Sequence, residues 1–253
     1  RFQFFLESLK SLKKDLKKMG GDLLILDTGP QEAFEEIFKV LKKDNIEFPT
    51  FISWNRDYEP FALKRDRKMI SYFKDLKIST FNGRDHLIIE PHEINKGSNK
   101  DEGYKVYTPF YNKWLQKFEE ESIQKRIIFQ KNSLGLIKKM SKGEVTKCFS
   151  LTWPKLLKNK NKLPDYLDKY IDKNKKSVTI PIPKAGTAEA FKLLQSFHSK
   201  VENYTLDRDY PFLKGTSGLS VFLKNGSIST GQIISYLRLH SPGDKNNSQG
   251  KLT

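Results

Sequence analysis

The chain has 253 residues, 37% hydrophobic and 12% aromatic, enough for a real core and against wholesale disorder. Its one cysteine, Cys148, excludes an intrachain disulfide and a cysteine-rich zinc site, and no apolar run reaches the ~18–20 residues of a membrane span. Net charge is +16 and uneven: residues 1–120 carry 22 Lys and Arg against 20 Asp and Glu, residues 121–253 carry 24 against 10. The second half therefore predicts a polyanionic partner, with a merely solvated lysine surface as the alternative.

In chain order, Phe2, Phe5, Leu6, Leu9, Leu12, Leu16 and Met19 recur at steps of three and four and predict one apolar helical stripe. Leu23–Leu26 (LLIL) is a short continuous apolar run, the pattern of a strand covered on both faces. Asp27 and Thr28 offer caps and Pro30 suits a first turn. The next helix then carries Ala33, Phe34, Ile37, Phe38 and Leu41. Phe48–Trp54 (FPTFISW) predicts a second strand. A helix from Pro60 follows, with Ala62, Met69, Ile70, Phe73 and Leu76 inward, and then a third strand, Ile78–Phe81. Helices alternating with short strands mean parallel pairing through crossovers, an α/β doubly wound sheet. Because the alternation opens on a helix, a preceding strand is expected to be missing. Residues 122–185 lack a clean period, are rich in lysine and read as a basic interdomain connector. From 186 the helical period returns in Ala190, Phe191, Leu194, Phe197, Phe222, Ile234 and Leu237. The expected organisation is an α/β domain over 1–121, the connector, and the start of an all-helical domain over 186–253.

The chemistry concentrates in Tyr204–Ser220, YTLDRDYPFLKGTSGLS. A helix N-terminus offers unpaired N–H groups and a partial positive charge, and so suits a phosphate. Gly215 lets the backbone come close, and Thr216, Ser217 and Ser220 offer hydroxyl donors. An ordinary helix cap is the competing reading of the same residues. The histidines His86, His92, His198 and His240 show no metal spacing, and Cys148 has no nucleophile context. Trp54, Trp114 and Trp153 read as packing residues.

Three ordered motifs carry a resemblance. Tyr204, then Arg208-Asp209-x-Pro211, then Gly215-Thr216-Ser217-x-Leu219-Ser220 with Leu223, Gly226 and Ile228-Ser229, resembles the start of the flavin-binding domain of the DNA photolyase/cryptochrome family, in particular its class I cyclobutane-dimer photolyases. NRDYEPFALKRD (Asn55–Asp66) and YKVYTPFYNKWLQKF (Tyr104–Phe118) are similar to two segments of that family's N-terminal domain, as is the opening stretch. The resemblance covers nearly everything except the connector. It implies that Tyr204, Thr216, Ser217, Gly218, Leu219 and Ser220 hold FAD, that Arg208 faces DNA, and that Asp101 and Glu102 lie where some bacterial members contact a folate antenna. Two departures touch this set: Gly218 stands where the family usually has a larger, often basic residue, and VFLKNG replaces the commoner P-Y-L-R-F-G.

The function implied is a light-driven lyase that splits cyclobutane pyrimidine dimers with an electron from photoexcited reduced FAD. A methenyltetrahydrofolate or deazaflavin antenna would widen the usable light. A cryptochrome, keeping FAD but signalling through partners, is the alternative. Damaged DNA is the expected partner and a cytoplasmic monomer, nucleoid-associated if bacterial, the expected state, with no metal. The catalytic residues are expected beyond Thr253. The chain is expected to be truncated at both ends, to hold FAD weakly at best and to be inactive alone.

Overall fold

The computed structural model describes residues 2–18, 23–95, 103–139 and 183–239. By packing, the described residues form two compact units, one within 2–85 and the other from 86–139 and 185–239. The described residues between 86 and 121 pack within the second unit.

In the first unit, α1 (Phe2–Lys18) is followed by α2 (Pro30–Lys43), β1 (Phe51–Asn55), α3 (Pro60–Asp75) and β2 (Ser79–Gly83). Both α2 and α3 start on a proline, whose fixed φ and missing N–H suit the first helical turn. Gly29 occupies the N-cap of α2 with no side-chain cap, so Asp27 and Thr28 do not serve as expected. β1 and β2 pair in parallel, Phe51 opposite Ser79 through Asn55 opposite Gly83. Parallel neighbours need a crossover, and α3 supplies it. Ile52 and Trp54 turn inward onto Phe38, Leu41, Met69, Phe73 and Ile78. Phe34 meets Phe73 edge-on at 4.8 Å.

Two expectations fail here. Leu23–Leu26 pairs with neither strand of the two-stranded sheet found among the described residues. An apolar run becomes a strand only where a neighbour offers it a ladder, and Ile25 instead packs on Leu6 of α1. In α1 the inward face is set by Phe4 and Leu6, while Phe2, Phe5 and Leu12 of the expected stripe lie exposed. Ile70 and Leu76 are likewise at the surface.

In the second unit, a loop from His86 with a 3-10 turn at Pro91–Ile94 leads to α4 (Tyr107–Phe118) and α5 (Glu121–Lys139). α6 (Thr187–His198), α7 (Tyr204–Asp207), α8 (Ser220–Lys224) and α9 (Thr230–Leu237) follow. The first third of the expected connector is therefore helix α5, not a surface crossing. Ile123 and Ile127 of α5 are buried in one core with Ile88, Ile89, Ile94, Phe118 and Ile234. Exposed Ile128 and Phe129 blur the period that would have revealed this helix. Residues 140–182 of the connector, with Cys148 and Trp153, lie outside the described residues, as does His240.

Three polar contacts fasten this unit. The Arg126 guanidinium donates to both carboxylate oxygens of Glu93, at 2.7 and 2.6 Å, and to the Ile88 carbonyl at 3.0 Å. The bond to Glu93, helped by the fields of Glu93, Glu90 and Glu120 against a desolvation cost, raises the Arg126 pKa. Gly231 N–H, in the first turn of α9, donates to Gln130 Oε1 of α5 at 2.8 Å. Ser229 caps the same helix, its hydroxyl accepting from Gln232 N while Gln232 Oε1 accepts from Ser229 N.

Candidate functional site

The motif from Tyr204 to Ser220 folds as α7, a 3-10 turn at Pro211–Leu213, an open loop and α8. Tyr204 is half-buried at the start of α7, its ring edge-on to Phe197 at 5.7 Å. The Arg208 guanidinium lies 5.8 Å from the centre of the Tyr204 ring, and its Nε is 3.8 Å from Asp209 Oδ1. That distance is a loose ion pair at an exposed position, worth little to stability.

Gly215 joins the two halves of the motif. It is buried, and a β-carbon there would stand 2.4 Å from Asp207 Cβ, 2.9 Å from its carbonyl carbon and 3.0 Å from its carbonyl oxygen. Only a residue without a side chain lets the loop rest on the end of α7 this closely. The preceding residue, Lys214, takes the left-handed conformation with φ 47°, at a cost of about 1–2 kcal/mol for a residue with a β-carbon.

Beyond Gly215 the loop divides by side. Leu219 and Phe222 are buried and anchor it in the helical core. Thr216, Gly218 and Ser220 are exposed, and Ser217 is half-buried. Ser217 Oγ accepts from Leu219 N at 3.3 Å, which leaves its own proton for another acceptor. Gly218 has φ +66°, and nothing lies within 4 Å of where a β-carbon would sit, so a ligand can approach its backbone. The result is three hydroxyls and an accessible backbone on one short loop, a donor set that fits a phosphate or diphosphate. Leu219 enters through its backbone only. With just five residues in α8, the attraction for an anion rests on local N–H groups rather than on a long helix dipole.

The other predicted positions separate from this loop. Asp101 and Glu102 lie outside the described residues. The Arg56 guanidinium donates to the Asn82 carbonyl at 2.8 Å, tying together the carboxyl ends of β1 and β2. Asp57 Oδ1 accepts from Tyr58 N at 2.6 Å and shapes the entry to α3. Trp54 packs 6.2 Å from Phe73, and Trp114 stacks on Phe118 at 5.0 Å. His198 meets Tyr236 edge-on at 5.7 Å, and the His86 carbonyl accepts from Thr230 Oγ1 at 3.3 Å. Among the described residues, no group of three or more His, Cys, Asp or Glu is placed to hold a metal, and no helix is long and apolar enough to cross a membrane.

A parallel sheet unit, a helical unit and a hydroxyl-rich loop seated on the end of α7 define the class: a two-part α/β and helical protein. The family model for DNA photolyase matches residues 1–126. Deoxyribodipyrimidine photo-lyase from Escherichia coli is 26% identical over 234 residues, covering 92% of this chain and 43% of the relative. The mitochondrial deoxyribodipyrimidine photo-lyase of Saccharomyces cerevisiae is 26% identical over 246 residues, 92% of this chain and 40% of the relative. The crystal structure of a bacterial class III photolyase from Agrobacterium tumefaciens superposes with TM-score 0.59 at 19% identity, over 93% of this chain and 43% of that one, and so supports the fold. The chain belongs to the DNA photolyase/cryptochrome family. It spans about two fifths of the length of these photolyases (40–43%).

Proposed function

We propose that this chain serves a light-driven DNA repair lyase that splits cyclobutane pyrimidine dimers, with FAD held at the Tyr204–Ser220 motif. The observation that carries the reading is the seating of Gly215 against Asp207. It sets the exposed hydroxyl loop beside the Tyr204 turn, in a chain whose relatives are named as photo-lyases of deoxyribodipyrimidine. When bound, reduced FAD supplies the photoexcited electron that opens the cyclobutane ring. The chain's own residues bind and orient. Thr216, Ser217 and Ser220 donate hydroxyl protons to diphosphate oxygens, and the Gly218 backbone comes within reach of the same group. Leu219 and Phe222 hold the loop in place from beneath, and Tyr204 borders it. Arg208, only loosely paired to Asp209, turns to a DNA phosphate. Asp101 and Glu102 are the proposed contacts of an antenna pigment.

The test is a titration of the chain with FAD, followed by quenching of flavin fluorescence, for the wild type and for Thr216→Ala/Ser217→Ala. Hydrogen bonds to a charged group are worth about 1.5–3 kcal/mol each, so the double variant should bind at least about 100-fold more weakly. Equal binding by the two proteins removes the assignment.

A further inference from the structure

The residues just before the hydroxyl loop expose an unusual amount of apolar surface. Leu206 is 72% exposed, Tyr210 55%, Phe212 78% and Leu213 45%, all within eight residues of one segment. Single exposed apolar side chains need no explanation, but a contiguous group in one short segment marks an interaction surface. The segment is also held in shape. Pro211 opens its 3-10 turn, Lys214 closes that turn in a left-handed conformation, and Gly215 next to it rests against Asp207. The side chains are therefore presented by a fixed backbone.

The two rings stand 6.1 Å apart with their planes at 70°. Edge-on packing occupies one ring's edge and leaves faces of both turned elsewhere, where flat partners can stack. Arg208 and Lys214 flank the rings along the chain, and both are exposed. Two acids share the stretch: Asp207, half-buried against Gly215, and Asp209, exposed beside Arg208. With two cations and two acids the segment is locally neutral, so Coulomb attraction by itself does not make it an anion site. Aromatic faces beside cations that can each reach a phosphate are instead the arrangement that holds single-stranded nucleic acid, where bases stack and the backbone is tracked alongside. The charge of the second half, 24 Lys and Arg against 10 Asp and Glu, favours a polyanion over an apolar protein partner.

We propose that Tyr210 and Phe212 form a stacking ledge for unpaired DNA bases at the edge of the hydroxyl loop, with Arg208 and Lys214 on the adjoining phosphates. The proposal rests on the DNA-directed reading above and adds to it residues that hold bases out of the duplex. A repair site that works on an extruded base needs such a place, because the displaced nucleotides must be held while the stack is broken.

The experiment uses the chain with fluorescein-labelled oligothymidylate and with a duplex of mixed sequence, followed by fluorescence anisotropy at several salt concentrations. Tyr210→Ala/Phe212→Ala should bind the single strand about 5- to 100-fold more weakly, as the loss of stacked bases implies, and keep the wild-type salt slope. Arg208→Ala/Lys214→Ala should instead flatten the salt slope for both DNAs. Tyr210→Phe/Phe212→Tyr should retain wild-type affinity, which separates ring stacking from general damage, and circular dichroism checks the fold of each variant. Phe212→Trp gives an independent readout, since its indole fluorescence should be quenched when oligothymidylate binds.

If the wild type binds single strands and Tyr210→Ala/Phe212→Ala binds them equally well, the ledge is wrong while the DNA reading stands. If the wild type binds neither DNA, the DNA reading itself fails and takes the ledge with it. Capture of the wild type by vesicles of anionic phospholipid, lost in Tyr210→Ala/Phe212→Ala without any effect on DNA binding, would assign the patch to a membrane surface and overturn the proposal.

Discussion

Replacing Gly231 by alanine tests the most unexpected element of the fold, α5. Gly231 sits in the first turn of α9, where its N–H donates to Gln130 Oε1 at 2.8 Å. A β-carbon at 231 would stand 2.4 Å from that oxygen, 2.9 Å from Gln130 Cβ and 3.2 Å from its Cδ. The amide oxygen can swing away, but Cβ is fixed to the backbone of α5, so the two helices must part. Alanine gains about 1 kcal/mol of helix propensity over glycine, and losing the hydrogen bond costs about the same. What remains is overpacking of a fitted interface, about 1–3 kcal/mol, and that is the net destabilisation expected. Urea unfolding followed by circular dichroism measures it as a lower midpoint at unchanged slope. Gln130→Ala alone should cost about 1 kcal/mol, and the double variant should cost less than the sum, because truncating Gln130 removes two of the three colliding atoms. A Gly231→Ala protein as stable as the wild type would mean that α5 does not pack on α9, and the segment would revert to a connector.

Gly215→Ala drives a β-carbon into the backbone of Asp207, which cannot rotate aside. FAD titration should show binding weakened about 10-fold or more, in keeping with loss of one or more charge-assisted hydrogen bonds, with helix content unchanged. Glu93→Gln removes the charge from a two-pronged, partly buried pair with Arg126 and should lower stability by about 1–3 kcal/mol in thermal unfolding. Equal melting in low and high salt would show that the pair contributes through geometry rather than through long-range field. Burial, and then the negative field of Glu35, raise the Tyr72 pKa above 10.0. The folded state thus holds that phenolic proton more tightly than the unfolded chain, so its contribution is complete below pH 10 and falls as pH rises through the folded value. Ultraviolet titration of the phenolate in wild type and Tyr72→Phe should show a late-titrating component that is lost in the variant together with the alkaline decline in stability.

The sequence determined which residues share a face and where chains turn. The proline starts of α2 and α3, the parallel pair β1 and β2 joined by α3, the helical character after 186 and the hydroxyl motif at 216–220 were all legible. Each depends on local rules: the period of side chains, the fixed φ of proline, the freedom of glycine. Gly231 lies outside those local rules: nothing in the sequence said that Gln130, a hundred positions earlier, would be its neighbour.

Tertiary structure decided what periodicity cannot reach. Helical spacing groups Phe2, Phe5, Leu6, Leu9 and Leu12, but which part of that stripe becomes buried depends on what lies beside it: Leu6 is buried together with Phe4, while Phe2, Phe5 and Leu12 stay exposed. Leu23–Leu26 has strand composition, yet a ladder is a property of two segments, and no partner for it stands in the sheet. α5 escaped notice because the burial of Ile123 and Ile127 is created by Ile88, Phe118 and Ile234, most of them distant in the chain. The candidate site shows the same division. Its hydroxyls are written in sequence, while their seat beside Tyr204 exists only because the backbone at Asp207 and the bare α-carbon of Gly215 meet in space.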